Sequence, residues 1–475
     1  MRDGARAALI DALTPLDGVL SVRFVGSYWD KEDPATTPSD VDVVVILSQL
    51  TRERFAACVA AIAALDGDAF GFPGTSVRVN DTFGPRKLGA GETVVVHLMV
   101  YDTASHREHV LASPFTCLDW ERVDHGYGPS LREHFAVPPL SPLALRDARR
   151  GVANYLADLQ HGTLSVRHYE WDTAGSARVA VQQVPLDSRN RGEFAVHVVN
   201  NLLANLAKVL SGKNEKPVDS ALRALWSAHI PAAAHLQDEY FAIARLKRTG
   251  ATDYPARVVE LAIDFVNAFA ASLDELLGSL RQVVWVRHGQ TAFNDGSFLG
   301  QRRDPPLLHP EEIEPLPFPV SDARSSPARR AVQTAERLLP GAALSLDARL
   351  HEMDYGQAEG FTRAMVEQQF PEIAAGWRAG SDPRFPGGEH AADVHNRLMG
   401  VIADLPRSAG TSVCVSHNNV LRIALGSHFA VPTARWHLIE VPHLLLFVSH
   451  FVNGRLVFHL PAVRLGAVLD LRSTA

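Results

Sequence analysis

Apolar and polar positions along the 475-residue chain follow two periods, and the stretches in which each dominates predict its elements. Residues 5 to 13 carry helical spacing, Leu20 to Val25 reads as a strand running into Gly26-Ser27, and a second strand covers Val41 to Leu47. Val94 to Tyr101 (VVVHLMVY) is a further buried strand with one polar interruption, His97. From Pro138 the character changes. An amphipathic helix puts Leu145, Val152, Leu156 and Leu159 on one face, and 161 to 192 reads as polar and irregular. Glu193 to Leu210 is a helix with the apolar stripe Val199, Leu202, Leu203, Leu206 and Leu210, opposed by His197, Asn201 and Lys208. A last amphipathic helix, Ala256 to Leu280, leads without a Gly/Ser linker into the strand Val283 to Val286. A buried strand at Val413 to Val415 follows, and Leu444–Phe451 and Arg455–Leu460 flank Asn453-Gly454, a hairpin signal. Three domains are expected: 1–137, 138–280 and 281–475, in a multidomain α/β protein with a helical middle.

Composition narrows the function classes. Hydrophobic residues make up 46% and charged residues 21%, ordinary values for a globular chain. The net charge of -7, with no lysine- or arginine-rich run, leaves no electrostatic footprint for nucleic acid or an anionic membrane. The N-terminus has charges throughout and no apolar signal core, and no uninterrupted apolar run approaches membrane-spanning length. Cys58, Cys117 and Cys414 fit no metal spacing and read as buried hydrophobes in a reducing, cytoplasmic setting.

The chemistry concentrates first at VVWVRHGQTAFN, Val283 to Asn294. A strand ending on Arg287-His288-Gly289 brings a cation, an imidazole and a flexible backbone to the rim of a sheet, where α/β proteins bind ligands. Four more pieces follow in order. These are Ser325 to Ala335, with Arg330 in the first turn of a helix; Leu350-His351-Glu352 beside Asp354-Tyr355-Gly356 and Glu359-Gly360; Pro386-Gly387-Gly388-Glu389 ahead of a helix carrying Arg397; and Val413 to Asn419, a strand ending in His417. The set resembles the histidine phosphatase (phosphoglycerate-mutase-like) superfamily over residues 281 to 475, which implies a three-layer α/β fold. The resemblance implies that His288 takes a phosphoryl group, that Arg287, Arg330 and His417 hold its oxygens, that Asn294 and Asn418 contact phosphate, and that Glu352 is the general acid. These residue types suit the reaction, since phosphoryl transfer is mostly positioning and charge stabilisation, and with four basic groups supplying the charge this activity is expected to need no metal. The loop Gly300 to Leu307 matches the family only loosely, and His390 stands where a small hydroxyl residue is common. The short span from Glu352 to Pro386 implies hydrolysis in place of mutase action.

A second constellation lies in GSYWDKEDPATTPSDVDVVV. Gly26-Ser27 would close around a triphosphate, and Asp40 and Asp42, two apart on a strand, emerge on one face as a site for Mg²⁺. This resembles the nucleotidyltransferase fold of the DNA polymerase β superfamily, whose signature is Gly-Ser, a loop, then Asp-x-Asp on a strand. That family keeps a third carboxylate on a later strand. Here that strand carries His97, either a metal or nucleotide ligand or a core histidine with its hydrogen bonds satisfied, with Asp81 and Asp102 as substitutes for the acid and Gly84-Pro85-Arg86-Lys87 as a cationic loop or a solvated turn. The helix Glu193 to Leu210 is either solvent-facing on its polar side or the far wall of the nucleotidyl site, with Lys208 reaching a phosphate.

The combined expectation is a bifunctional enzyme of small phosphorylated metabolites, joining Mg²⁺-dependent nucleotidyl transfer from a nucleoside triphosphate to phosphomonoester hydrolysis. The alternatives are a catalytically inactive nucleotide-binding module controlling the phosphatase, and a modifier in which transfer and hydrolysis oppose each other. Nucleic-acid end repair is a further alternative, weakened by the acidic balance.

Overall fold

A computed structural model describes residues 2–29, 40–83, 93–147, 152–246, 254–431, 433–452 and 454–459. The cationic loop expected at Gly84 to Lys87 lies outside them. The chain divides into two compact units, Met1–Val137 with Leu145–Leu273, and Pro138–Ala144 with Asp274–Ala475. The expected head and most of the helical middle thus fall within one unit.

In the first unit, β1 (Val19–Val25), β2 (Asp40–Leu47), β3 (Ser76–Asn80), β4 (Thr93–Asp102) and β5 (His125–Tyr127) form a mixed sheet in the order β3-β4-β2-β1-β5. Strands β3, β4 and β2 run parallel, and β1 is antiparallel to both of its neighbours. Val22, Phe24, Val43, Val45, Val96 and Leu98 are buried with Leu9 and Leu13 of the helix Arg2–Leu13. Residues 161 to 192 correct the expectation of an irregular segment. Strands β6 (Thr163–Trp171) and β7 (Ala177–Pro185) pair antiparallel throughout, and Tyr169 Oη donates to the Val100 carbonyl at 3.0 Å. Most β7 side chains are exposed, so the apolar alternation that reveals a half-buried strand is missing. Of the helix expected through Leu145 to Leu159, the described residues form Leu143–Asp147 and Val152–His161. The polar-striped helix begins earlier than its apolar pattern, at Ser188, because Asp187 caps the Asn190 N–H, and it runs to Ser211. It is long and apolar enough to cross a membrane, with mean hydropathy 1.2 in its most apolar window, but 61% of that window is buried inside the unit. It is a core helix.

In the second unit, β8 (Arg281–Arg287), β9 (Asp322–Ser325), β10 (Leu344–Leu346), β11 (Gly410–Ser416), β12 (Leu446–Val452) and β13 (Arg455–His459) form a sheet in the order β10-β9-β11-β8-β12-β13. The first four are parallel, and the expected hairpin β12–β13 is added antiparallel at the edge of β8. One face buries Val284, Val286, Val413 and Val415 against Ala331, Ala335 and Leu338 of the helix Arg329–Leu338. On the other face Trp285 meets Phe458, which in turn meets His428 of the helix Asn418–His428. Helices on both faces of a largely parallel sheet give the three layers expected of this unit.

Candidate active site

Strands β8 and β11 lie side by side with Arg287 opposite Ser416, so His288 and His417 leave the sheet at the same level. Their rings meet edge to face at 5.0 Å between centroids, and both are buried. Glycine follows His288, and the imidazole Nδ1–H donates to the Gly289 carbonyl at 2.7 Å. A carbonyl only accepts, so the proton belongs on Nδ1 and the lone pair on Nε2. Arg330 supports the same tautomer, since its Nε–H points at His288 Nε2 at 3.3 Å. Burial first, and then the charges of Arg330 and Arg287, hold the His288 pKa well below the usual histidine range. The imidazole is thus neutral with its nucleophilic nitrogen available.

Arg330, the second residue of its helix, is 1% exposed and also donates to the Gly300 carbonyl at 3.0 Å and the Arg303 carbonyl at 3.3 Å. Arg287 donates to the Val441 carbonyl and to His443 Nε2, the latter at 3.2 Å, while His443 Nδ1–H donates to the His288 carbonyl at 3.0 Å. Burial brings the Arg287 pKa down to about 10. Ser326 Oγ lies 2.7 Å from His417 Nε2; with the hydroxyl donating, the His417 proton sits on Nδ1. Among the described residues, Arg287 Nε and His417 Nδ1 are buried donors without a protein partner, and Asn418 Oδ1 is likewise unpartnered. Buried polar atoms are rarely left so, and an anion at this point would accept from the two donors.

Glu352 is 4% exposed. Its Oε1 accepts from the Met353 N–H at 2.8 Å and Oε2 from the Asn419 N–H at 3.4 Å, yet burial outweighs both and raises its pKa. Arg397 holds this carboxylate's backbone, donating to the Glu352 carbonyl at 3.1 Å while gripping Glu389 at 2.9 and 3.1 Å. Gly356 is required beside it: at φ 55° it packs so closely that a Cβ would lie 2.1 Å from the Pro386 carbonyl oxygen. The unusual His390 is structural, its Nδ1 lying 2.6 Å from Asp393 at the start of the helix Ala391–Ala403.

A cavity of about 580 Å³ opens on Arg287, His288, Glu352, Asn294 and Asn418. Asn294 Oδ1 accepts from the Thr291 N–H at 2.6 Å. Every residue expected of the phosphoryl site is therefore gathered in this unit, with Arg330 and His417 in contact with His288. His443 and Arg422 were missing from the sequence reading, and Tyr355 and Asn419 were given no role there; all four line the cavity.

In the first unit Asp40 and Asp42 lie on the same face of β2, and Asp42 pairs in register with His97. Gly26, at φ 83°, backs onto this point so tightly that a Cβ would fall 2.1 Å from Asp42 Oδ2; Ser27 follows, exposed in the turn. His97 Nδ1 lies 3.0 Å from Asp42 Oδ1, and His97 Nε2–H donates to the Thr82 carbonyl. Burial depresses the His97 pKa, but the hydrogen bond and charge of Asp42 outweigh it and the net shift is upward. Three corrections follow. His97 has both nitrogens engaged, and imidazole is a poor partner for a hard Mg²⁺ ion. Among the described residues, the three-residue cluster that gathers ligand atoms within 4.8 Å is the exposed His309, Glu311 and Glu312, not Asp40, Asp42 and His97. The expected Mg²⁺ donor set therefore fits only in its carboxylates. Asp102 cannot replace the absent acid, because it sits at the far end of β4 and caps the Ser105 N–H; Asp81 is exposed beyond β3. Lys208, expected at a phosphate, is turned away and buried, donating to Asp119 at 2.7 Å and Asn205 at 3.4 Å. His197, Asn201 and Asn205 of that helix line a cavity of about 220 Å³ together with Asp42, His97 and Arg167.

Comparison with known proteins adds the following. Residues 283–462 match the histidine phosphatase superfamily (branch 1). The chain is 32% identical over 172 residues to 6-phosphofructo-2-kinase/fructose-2,6-bisphosphatase of Caenorhabditis elegans, an alignment covering 34% of this chain and 37% of that one. It thus spans little more than a third of that relative. It is 29% identical to glucosyl-3-phosphoglycerate phosphatase of Mycobacterium tuberculosis, over 33% of this chain and 78% of that one. It is 31% identical to 2,3-bisphosphoglycerate-dependent phosphoglycerate mutase of Methylobacterium radiotolerans, over 30% of this chain and 76% of that one.

Proposed function

The chain belongs, through residues 283–462, to the histidine phosphatase superfamily (branch 1), and we propose that its second unit hydrolyses a phosphorylated small molecule by way of a phosphohistidine on His288. The observation that carries this reading is the lone pair fixed on His288 Nε2 by the Gly289 carbonyl, beside the buried guanidinium of Arg330. Nε2 attacks phosphorus, the bond to the leaving oxygen breaks, and the protonated carboxyl of Glu352 gives that oxygen its proton. Glu352, now ionised, takes a proton from water, whose oxygen displaces His288 and releases inorganic phosphate. Arg287, Arg330 and the His417 Nδ1–H hold the charge that spreads over the transferring group. The buried free thiols Cys58, Cys117 and Cys414 suit a cytoplasmic setting. The test is hydrolysis by wild type and His288→Ala in excess EDTA. Wild type should remain fully active and His288→Ala inert but folded. Complete loss of wild-type activity in EDTA, restored by a divalent ion, would overturn a mechanism built on protein cations alone.

A second activity is favoured by one specific contact, the approach of Gly26 to Asp42 that only glycine permits. On it we propose that the first unit binds a nucleoside triphosphate, arriving with its own Mg²⁺, near Gly26, Ser27, Asp40 and Asp42, and transfers a nucleoside monophosphate to a small acceptor. Calorimetric titration with Mg²⁺-NTP should show binding to wild type and none to Asp40→Asn/Asp42→Asn. Binding without pyrophosphate release for any acceptor would favour the regulatory module, and no binding at all would end the nucleotide reading.

A further inference from the structure

One wall of the large cavity is aromatic. Phe298 is the hub of a cluster of rings, 4.6 Å from Tyr355, 5.7 Å from Phe385 and 6.4 Å from Trp377 between centroids. Phe385 meets Tyr355 edge to face at 5.1 Å and Trp377 at 6.1 Å. All four rings line the cavity that holds His288 and Glu352, and Trp436 lines it too. Tyr355 and Phe385 are buried, whereas Phe298 and Trp377 are only partly covered. Arg363 lies over the indole of Trp377 at 5.0 Å, which helps to fix the ring's orientation. Phe298 and Trp377 thus keep part of their surface uncovered at the wall of this cavity.

Volume points the same way. A phosphate and a short polyol leave most of 580 Å³ unfilled, whereas cavities of roughly 300–1,000 Å³ suit drug-sized ligands. A substrate of that size with its phosphate at His288 shares this cavity with the aromatic wall. Flat π-systems gain most from partly exposed rings, and stacking tolerates many ring types. Resting on the phosphomonoesterase reading above, we infer that this site selects phosphomonoesters whose alcohol carries an aromatic ring distant from the phosphate, as a nucleoside 5′-monophosphate does. Phe298 and Trp377 are then specificity-determining residues.

The test compares adenosine 5′-monophosphate with ribose 5-phosphate on the full chain. The two share the same primary leaving oxygen and differ in the base, so the demand on Glu352 is equal. For wild type, kcat/KM should favour the nucleotide by roughly 5- to 150-fold, the range that base–aromatic stacking supplies. Trp377→Leu should bring that ratio toward one, chiefly by raising KM for the nucleotide. Phe298→Leu provides a second reading in case one variant folds poorly, and Trp377→Phe should restore most of the preference. Equal kcat/KM for the two substrates in wild type overturns the inference and leaves the phosphatase reading standing. A preference that survives both leucine substitutions overturns the assignment to these rings. Hydrolysis of neither substrate, nor of p-nitrophenyl phosphate, sinks the phosphatase reading itself.

Discussion

Replacing Glu352 with glutamine removes one proton donor and little else. In the native site Oε1 takes the Met353 N–H at 2.8 Å, and glutamine's carbonyl oxygen can keep that bond. Its NH₂ then faces the Asn419 N–H, which is already 3.4 Å from Oε2, so a weak hydrogen bond is exchanged for a poor contact. That costs on the order of 1 kcal/mol, and removing an ionisable group from a site 4% exposed offsets part of it. Thermal stability should scarcely move. Catalysis should move a great deal. A positioned general acid is worth about 10²- to 10⁴-fold, equivalent to about 2.7–5.4 kcal/mol of barrier, when the leaving alkoxide needs a proton. Nitrophenolate departs unaided. The discriminating quantity is kcat/KM, which reports transfer to His288, since kcat also contains the water step that Glu352 assists. Glu352→Gln should lose 10²- to 10⁴-fold in kcat/KM on an alkyl phosphate and less than about tenfold on p-nitrophenyl phosphate, with a nitrophenol burst preceding slow turnover. Equal losses on the two substrates, or a large fall in stability, would refute the assignment and make Glu352 a structural residue.

Further tests follow from the buried charges. With the Glu352 pKa raised and the His288 pKa lowered, the reaction needs protonated Glu352 and neutral His288. The pH profile of kcat/KM on alkyl phosphates should therefore fall on the alkaline side, as Glu352 ionises, with no histidine limb near 6.5; a limb there that does not follow the substrate's own phosphate ionisation would contradict the neutral-imidazole reading. The buried pair in the first unit should respond asymmetrically, because the Lys208 side chain is 2% exposed and that of Asp119 is 42% exposed. Asp119→Ala strands a buried ammonium and should cost about 3–5 kcal/mol in urea unfolding, whereas Lys208→Met leaves a carboxylate that water can reach and should cost less than about 1 kcal/mol; equal costs would refute this.

The phosphoryl site was legible in the sequence because its parts are strand ends and helix starts. Val283 to Val286 and Val413 to Val415 are apolar runs that end on His288 and His417, and the parallel register then aligns the two rings. His443 and Arg422 gave no such signal. His443 reaches Arg287 because β12 adds antiparallel to β8, a pairing that no local period encodes, and Arg422 is one arginine on an otherwise ordinary amphipathic helix. Lys208 shows the converse failure. Its stripe with His197 and Asn201 was visible, but the position of Asp119, 89 residues earlier in the chain, decided where the ammonium went. The β6–β7 ribbon escaped detection because most of β7 is exposed, which removes the burial alternation that reveals strands.

The central claim is a covalent phosphoryl group on His288 Nε2. Glu352→Gln with p-nitrophenyl phosphate should accumulate it, since formation needs no acid there while hydrolysis lacks its base. Quenching within one turnover and mapping the adduct by mass spectrometry should find an acid-labile, alkali-stable phosphoryl group on His288, near one per chain, and none in His288→Ala. A stoichiometric adduct on another residue, or undiminished turnover by His288→Ala, would contradict the account.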